Sequence, residues 1–202
     1  MLTIALPKGR IADDALLLFK KVYATEFSFK NRKLIVECGG FKFLLVRSQD
    51  VPTYVMRAAA DLGVCGKDVL LESGAQVTEL LDLKFGRCKV ALGMRKGESL
   101  AQPRPSIRVA TKMVNTAKRF FASKAMAVEV IKLYGSIELA PLVGLADAIV
   151  DIVETGETMR ENDLEMVEVI AESSARLFAN RESFIENKRE IIALREAIAG
   201  VL

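Results

Sequence analysis

Short apolar runs alternate along the chain with segments in which apolar residues recur every three or four positions. The runs have the length and composition of buried strands, whereas the segments have the period of helices that pack on one face. The predicted strands lie at residues 2–6, 32–37, 41–47, 61–65, 89–94, 107–112, 127–134, 146–153 and, as one or two strands, 166–180. The predicted helices lie at residues 11–23, 51–60, 66–74, 113–125, 136–144 and 181–200.

This alternation predicts an α/β fold with mixed, mostly parallel sheets. A polar segment with two prolines at residues 95–106 suggests that the chain passes there between two lobes. We therefore expect a first lobe of residues 1–93 and 174–202 and a second lobe of residues 94–173. The last helix would pack on the first lobe through an apolar stripe. The stripe consists of Ile185, Ile191, Ile192, Leu194 and Ile198.

Composition and charge exclude several classes of partner. The chain has 202 residues, 51% of them hydrophobic and 27% charged, with a net charge of +3. Such a small charge without a dense Lys/Arg run argues against nucleic acid and against an anionic membrane surface. The amino terminus leads directly into a strand without a secretory signal, and no apolar run is long enough to cross a bilayer. We expect a cytoplasmic protein.

The absence of histidine limits the chemistry. It excludes Ser-His-Asp and Cys-His catalysis and any histidine-ligated metal. The three cysteines, Cys38, Cys65 and Cys88, have no Cys-x-x-Cys spacing, so neither a disulfide framework nor a zinc site is expected. Chemistry would then depend on Arg, Lys, Asp, Glu, main-chain amides and a metal ion brought by a substrate.

The segment DAIVDIVETGETMREN, residues 147–162, begins as a buried strand and ends as a polar turn. Ligands of open α/β sheets bind beyond the carboxyl ends of such strands. A glycine in the turn lets a ligand approach the main chain. Successive main-chain amides and two threonine hydroxyls would bind a phosphate monoester. The aspartates upstream of the turn would bind ribose hydroxyls or face magnesium. The alternative is an ordinary turn and helix cap. The candidate residues are Asp147, Asp151, Glu154, Thr155, Gly156, Glu157 and Thr158.

A second candidate for phosphate binding is the turn LPKGR, which carries Lys8, Gly9 and Arg10 after the first strand. A guanidinium group there would bind the oxygens of a pyrophosphate or triphosphate, and the alternative is a solvated basic loop. Arg32 lies at another strand edge, and the GKD segment at 66–68 repeats the order of strand, glycine and helix start. Several strand ends therefore indicate a cleft that receives more than one phosphate.

These segments together resemble a known family. The motifs LPKGR, DVPTYV, ADLGVCGKDVL, LDLKFGRCKVALG, RVATK and VIKLYGSIELAPLVGLADAIVDIVETGETMREN are similar to those of ATP phosphoribosyltransferases, the first enzymes of histidine biosynthesis. The resemblance implies a two-lobed fold like type II periplasmic binding proteins, with the active site in the cleft between the lobes. It implies transfer of a phosphoribosyl group from 5-phosphoribosyl 1-pyrophosphate to N1 of ATP, with release of pyrophosphate.

The resemblance also implies roles for individual residues. DIVETGETM, residues 151–159, would hold the 5-phosphate and ribose of the donor. Arg10 and Arg32 would be the catalytic residues that reach the pyrophosphate and the nucleotide phosphates. The residues expected to bind ATP and pyrophosphate are Lys8, Gly9, Gly66, Asp68 and Glu138. Mg²⁺ is the expected cofactor, bound through the substrate pyrophosphate and not by a protein-built metal site.

Longer members of this family carry an additional regulatory domain, so the chain resembles the short form. The resemblance then implies a homodimer of this chain and a separate regulatory subunit related to histidyl-tRNA synthetase, in a hetero-octamer.

Two other functions remain open from the residues. A two-lobed binding protein without catalytic activity would share the architecture, although it would normally carry a secretory signal. A nucleotide-salvage phosphoribosyltransferase usually has adjacent acids before its T-G-x-T turn, whereas Ile152, Val153 and Glu154 stand there in this chain.

Overall fold

A computed structural model describes residues 1–29, 33–101 and 105–202. The chain forms two compact units, one of Met1–Arg87 with Ser174–Leu202 and the other of Cys88–Ser173. The strands are β1 (Leu2–Pro7), β2 (Ile35–Cys38), β3 (Phe41–Val46), β4 (Leu62–Gly66), β5 (Thr78–Asp82), β6 (Cys88–Arg95), β7 (Ile107–Thr111), β8 (Val128–Lys132), β9 (Ala148–Val153), β10 (Leu164–Ser173) and β11 (Ala175–Ala179). The helices are α1 (Arg10–Tyr23), α2 (Val51–Met56), α3 (Lys67–Ser73), α4 (Val114–Ser123), α5 (Leu139–Leu142), α6 (Glu157–Glu161), α7 (Arg181–Glu186) and α8 (Lys188–Ala199), with a 3₁₀ turn at Ser48–Asp50.

The first unit is built on a six-stranded sheet in the order β2-β3-β1-β4-β11-β5. Strand β1 runs parallel to β3 and β4, so the carboxyl ends of these three strands lie at one edge. Beneath the sheet, Phe19 of α1 packs edge to face on Phe41 and Phe43, with ring centroids 5.3 and 5.2 Å apart. Edge-to-face packing is a favourable arrangement of aromatic rings. The cluster therefore holds α1, which follows the turn at residues 8–10, against the sheet.

The second unit contains a five-stranded sheet in the order β10-β6-β9-β7-β8. Strand β9 lies between β6, to which it is antiparallel, and β7, to which it is parallel. Its residues Ala148, Ile149 and Val150 are fully buried, as expected for a strand covered on both faces. The central strand of this sheet therefore leads directly into the polar turn at residues 154–158.

The sheets are mixed, as predicted, but parallel pairs do not dominate. Within the described parts of the chain, four strand pairs are parallel and five are antiparallel. The return of the chain through β10 and β11 accounts for three of the antiparallel pairs. Strand β5 was not predicted. Its side chains do not alternate between buried and exposed, and its pairing partner β11 lies almost a hundred residues later in the chain.

Two boundaries differ from the prediction. The strand at 89–94 was assigned to the first lobe, but β6 pairs with β9 and β10 and belongs to the second unit. The segment 181–200 was predicted as one helix, but it forms α7 and α8, because the chain leaves helical geometry at Asn187.

The apolar stripe of the last segment is confirmed only in part. Ile191, Leu194 and Ile198 of α8 are buried in the core of the first unit, and Ile192 is half-buried. Ile185 is instead 75% exposed, because the break at Asn187 separates α7 from the helical phase of α8. In the described residues, no helix combines the length and apolar character needed to cross a membrane.

We predict that Gly63→Ala destabilises the first unit. A Cβ at this position of β4 would lie 2.6 Å from Phe178 and 2.7 Å from Val55, two side chains that are themselves fully buried. Overpacking of this kind costs about 1–3 kcal/mol, measured as the free energy of unfolding in urea. Gly200→Ala is the matched control, because its nearest heavy atoms would be 3.6 Å away. Equal stability of the two variants would contradict the packing described for β4.

Candidate active site

The turn after β9 leaves main-chain donors without internal partners. Gly156 has φ +76°, a left-handed conformation that glycine adopts without strain, and α6 begins directly after it. Within the described chain, the N–H groups of Gly156, Thr158 and Met159 donate no hydrogen bond. The first N–H groups of a helix cannot find acceptors inside it, so these groups are available to an anion.

Two side chains shape the same turn. The Thr155 hydroxyl accepts the Glu157 N–H at 3.3 Å, and Asn162 Nδ2 donates to the Thr158 carbonyl at 2.8 Å. Both threonines are exposed, as are Glu154 and Glu157. We call residues 154–158 the phosphate loop.

A cavity of about 350 Å³ adjoins the phosphate loop in the second unit. Its lining residues are Glu138, Asp151, Ile152, Val153, Glu154, Thr155, Gly156, Glu157, Thr158 and Met159. Glu138, which the resemblance assigned to ATP and pyrophosphate, therefore shares a cavity with the phosphate loop. It precedes α5, and the chain reversal after β8 brings it there.

Asp151 lies on β9 beside the neighbouring strand β7. Its Oδ1 is 3.1 Å from Nζ of Lys112, the residue that follows β7, although the same oxygen makes no well-aligned hydrogen bond in the described structure. The contact is therefore an ion pair that leaves hydrogen-bonding capacity on the carboxylate. Lys112 was not among the predicted site residues, although it ends the quoted motif RVATK.

A buried hydroxyl fixes β7 to β9 just before this ion pair. Thr111 is fully buried; its Oγ1 donates to the Val150 carbonyl and accepts the Met113 N–H at 2.8 Å. Because Thr111 is opposite Val150 in the strand register, Lys112 and Asp151 are held side by side.

The structure does not bring Asp147 to the phosphate loop. Asp147 precedes β9 and accepts hydrogen bonds from the main-chain N–H of Arg108 and from Nη2 of its guanidinium, both at 2.8 Å. This hydrogen bond and the carboxylate charge raise the pKa of Arg108. A strand rises about 3.3 Å per residue, which separates Asp147 from the phosphate loop by roughly 20 Å. The sequence places the two on one strand, but at its opposite ends.

In the first unit, the predicted site residues that the structure describes lie just beyond the carboxyl ends of β1 and β4. Lys8, Gly9 and Arg10 are exposed on the turn into α1, where Gly9 has φ +103° and the Lys8 N–H donates to the Val46 carbonyl at 2.8 Å. Gly66 ends β4 with ordinary extended geometry, and Asp68 is buried in the first turn of α3. Arg32 lies outside the described residues.

Cys65 is the buried member of the three cysteines, and Cys38 and Cys88 are half-buried. Burial, followed by the charges of Asp68 and Glu79, raises the pKa of the Cys65 thiol, which keeps it protonated at neutral pH, as expected for a buried apolar cysteine. Among residues 1–29, 33–101 and 105–202, no cluster of three or more His, Cys, Asp or Glu side chains is suited to hold a metal ion.

Comparison with solved structures defines the class of fold. A chain of the structure described as the ATP phosphoribosyl transferase (HisG:HisZ) complex from Thermotoga maritima has a TM-score of 0.89 and 34% identity, covering 100% of this chain and 98% of that one. The VFT2 domain of BvgS from Bordetella pertussis has a TM-score of 0.61 at 13% identity, with 100% of this chain and 88% of that chain covered. The chain is thus a two-lobed α/β protein with the fold of Venus flytrap domains.

Sequence comparison defines the family. The family model described as HisG: ATP phosphoribosyltransferase matches residues 47–200. Proteins named ATP phosphoribosyltransferase from a Sulfurovum species and a Nitratiruptor species are 59% and 60% identical over 202 residues, covering 100% of this chain and 98% of each relative. The chain therefore belongs to the ATP phosphoribosyltransferase family. The family, enzyme class and fold expected from the sequence are confirmed, and with them phosphoribosyl transfer in histidine biosynthesis.

We predict that Thr111→Val destabilises the second unit. The substitution keeps the shape of the side chain but leaves the Val150 carbonyl and the Met113 N–H buried without their partner. An unsatisfied buried group costs about 1–3 kcal/mol, measured here as the free energy of unfolding in urea. Thr158→Val is the control, because its exposed hydroxyl should change stability by less than about 0.5 kcal/mol. If Thr111→Val were as stable as the control, the buried hydroxyl would not join β7 to β9.

Proposed function

We propose that the phosphate loop binds the 5-phosphate of 5-phosphoribosyl 1-pyrophosphate while the chain transfers the phosphoribosyl group to N1 of ATP. The products are N1-(5-phosphoribosyl)-ATP and pyrophosphate. The observation that carries this proposal is the cavity at the end of β9. Among the described residues, the N–H groups of Gly156, Thr158 and Met159 donate no hydrogen bond there, and two exposed threonine hydroxyls lie beside them. Such groups bind a phosphate monoester without a positive side chain.

The carboxylates beside the loop suit the other end of the donor sugar. Asp151 lines this cavity, and a carboxylate accepts hydrogen bonds from hydroxyl groups. We assign Asp151 to the ribose hydroxyls, with Glu154 and Glu157 at the rim of the loop. Glu138 lines the same cavity, so we assign it to the bound donor in addition to the nucleotide.

Residues of the first unit are assigned to ATP and to the leaving pyrophosphate. Lys8, Gly9 and Arg10 lie exposed at one turn, and Gly66 and Asp68 follow the parallel neighbour of β1 at the same sheet edge. A guanidinium binds two phosphate oxygens at once, which suits Arg10 and Arg32 to a polyphosphate.

The reaction needs no activated side chain of the protein. The lone pair of adenine N1 forms the new bond to the anomeric carbon as the bond to pyrophosphate oxygen breaks and its electron pair leaves with pyrophosphate. Catalysis then comes from aligning two bound substrates and from stabilising the departing negative charge. The absence of histidine from the chain is consistent with this scheme.

The proposed reaction uses magnesium that is bound to the substrate. Because the described residues do not form a metal centre, we propose that Mg²⁺ arrives bound to the pyrophosphate oxygens, where it neutralises charge. We further propose a homodimer of this chain and a hetero-octamer with a separate regulatory subunit. The structural neighbour described as a HisG:HisZ complex supports a two-component assembly. The substrates are cytoplasmic metabolites, so we place the reaction there.

The decisive experiment is product formation by the purified chain. Incubation with ATP, the phosphoribosyl donor and Mg²⁺ should release pyrophosphate and yield the N1-substituted nucleotide, identified by its mass and ultraviolet spectrum. Free adenine in place of ATP should give no product, which separates this reaction from nucleotide salvage. The assay is repeated with the candidate regulatory subunit, with and without histidine. Donor binding without any turnover in either assay would favour a binding protein.

We predict that Thr158→Val weakens donor binding without affecting the fold. Loss of one hydrogen bond to a charged phosphate costs about 1.5 kcal/mol, or roughly tenfold in Kd, measured by titration calorimetry. Asp147→Asn is the control, because that carboxylate lies at the far end of β9 and should leave the Kd within about twofold. If Thr158→Val bound the donor as tightly as the control, the phosphate loop would not be the donor site.

We predict that Arg10→Ala and Arg32→Ala each reduce kcat strongly. Removing one preorganised donor that stabilises developing charge costs about 3 kcal/mol, or roughly a hundredfold in rate, measured as pyrophosphate release. Circular dichroism should show an intact fold, because Arg10 is exposed. Arg195→Ala on α8, also exposed, is the control and should keep full activity. Normal turnover of both active-site variants would remove these roles.

A further inference from the structure

A second cavity lies against the phosphate loop within the same unit. It has a volume of about 270 Å³ and shares residues 153–156 and Met159 with the first cavity. Its other lining residues are Lys89, Arg160, Leu164, Glu165 and Met166. Most of the phosphate loop therefore borders both cavities, whereas Arg160 lines the second cavity but not the first.

Arg160 holds the loop from this second cavity. Its Nη1 donates to the Thr155 carbonyl at 3.2 Å. A Cβ at Gly156 would lie 3.3 Å from the same nitrogen, so the guanidinium sits directly against the glycine main chain. Any larger residue at position 156 would push it away.

The contact between Arg160 and the Thr155 carbonyl also affects the orientation of the Gly156 N–H. The carbonyl of Thr155 and the N–H of Gly156 belong to one planar trans peptide unit, in which the two groups point in opposite directions. A guanidinium that binds this carbonyl from the second cavity would therefore direct the Gly156 N–H away from itself, to the opposite side of the loop. The guanidinium also places a positive charge behind a loop that receives an anion.

We propose that Arg160 is a positioning residue that holds the Thr155–Gly156 peptide with its N–H directed at the 5-phosphate. The proposal rests on the proposed function of the phosphate loop. Arg160 does not touch the donor; it acts through the orientation of one peptide group. Its loss therefore affects binding of the phosphoribosyl donor and leaves binding of ATP unchanged.

The test compares Arg160→Met with Arg160→Lys by steady-state kinetics. Both variants keep an unbranched side chain along Gly156, but only lysine retains a positive donor for the Thr155 carbonyl. We expect Arg160→Met to raise the KM for the donor about five- to tenfold, with kcat and the KM for ATP within about twofold. Arg160→Lys should recover most of this loss. Arg195→Met, on α8 of the other unit, is the matched control and should match the unmodified chain in all three constants.

The outcomes separate this proposal from the one on which it rests. If Thr158→Val weakens donor binding but Arg160→Met leaves the donor KM unchanged, the positioning role is overturned and the loop site stands. Equal effects of Arg160→Met and Arg160→Lys would also overturn it, as would a parallel rise in both KM values with a lower melting temperature. If neither Thr158→Val nor Arg160→Met changes donor binding, the donor site itself is wrong.

Discussion

The structure of the second unit depends on one constraint: within the described residues, the N–H groups of Gly156, Thr158 and Met159 have no acceptor in the protein. A buried strand uses its N–H and carbonyl groups in the sheet, but the left-handed Gly156 turns the chain out of the ladder. The first turn of α6 then adds donors that have no acceptor within the helix. Elsewhere such groups would be capped by a side chain or by water. Here they line the cavity in which we propose that the 5-phosphate binds.

The acidic side chains around this cavity also bear on how an anion would bind. Four carboxylates line it, an arrangement that would repel phosphate if charge alone determined binding. Main-chain dipoles attract an anion at short range, whereas exposed carboxylates are screened by water and suit hydroxyl groups better. The one half-buried acid of the strand, Asp151, is compensated by Lys112. In the function that we propose, the main-chain amides bind the phosphate and the carboxylates bind the sugar.

Local features of this arrangement could be predicted from the sequence, and relations across the sheet could not. The strand, the glycine and the threonines are consecutive, so their order alone indicated a loop beyond a central strand. Asp147 is close to the phosphate loop in sequence but not in space, because the extended residues between them span most of the sheet. Lys112, Thr111 and β5 depend on strand pairing, and Ile185 depends on a helix break at Asn187 that periodicity does not reveal.

The fold by itself does not determine the reaction. A Venus flytrap domain with 13% identity shares the fold, and a shared fold does not imply a shared function. What differs between such proteins is the chemistry at the carboxyl ends of the strands. Here those ends carry a basic turn after β1 and an uncapped turn after β9, both opened by glycines at positive φ. Such turns expose main-chain donors at fixed positions and require no histidine, which makes them suited to aligning phosphorylated substrates whose own atoms supply the nucleophile and the leaving group.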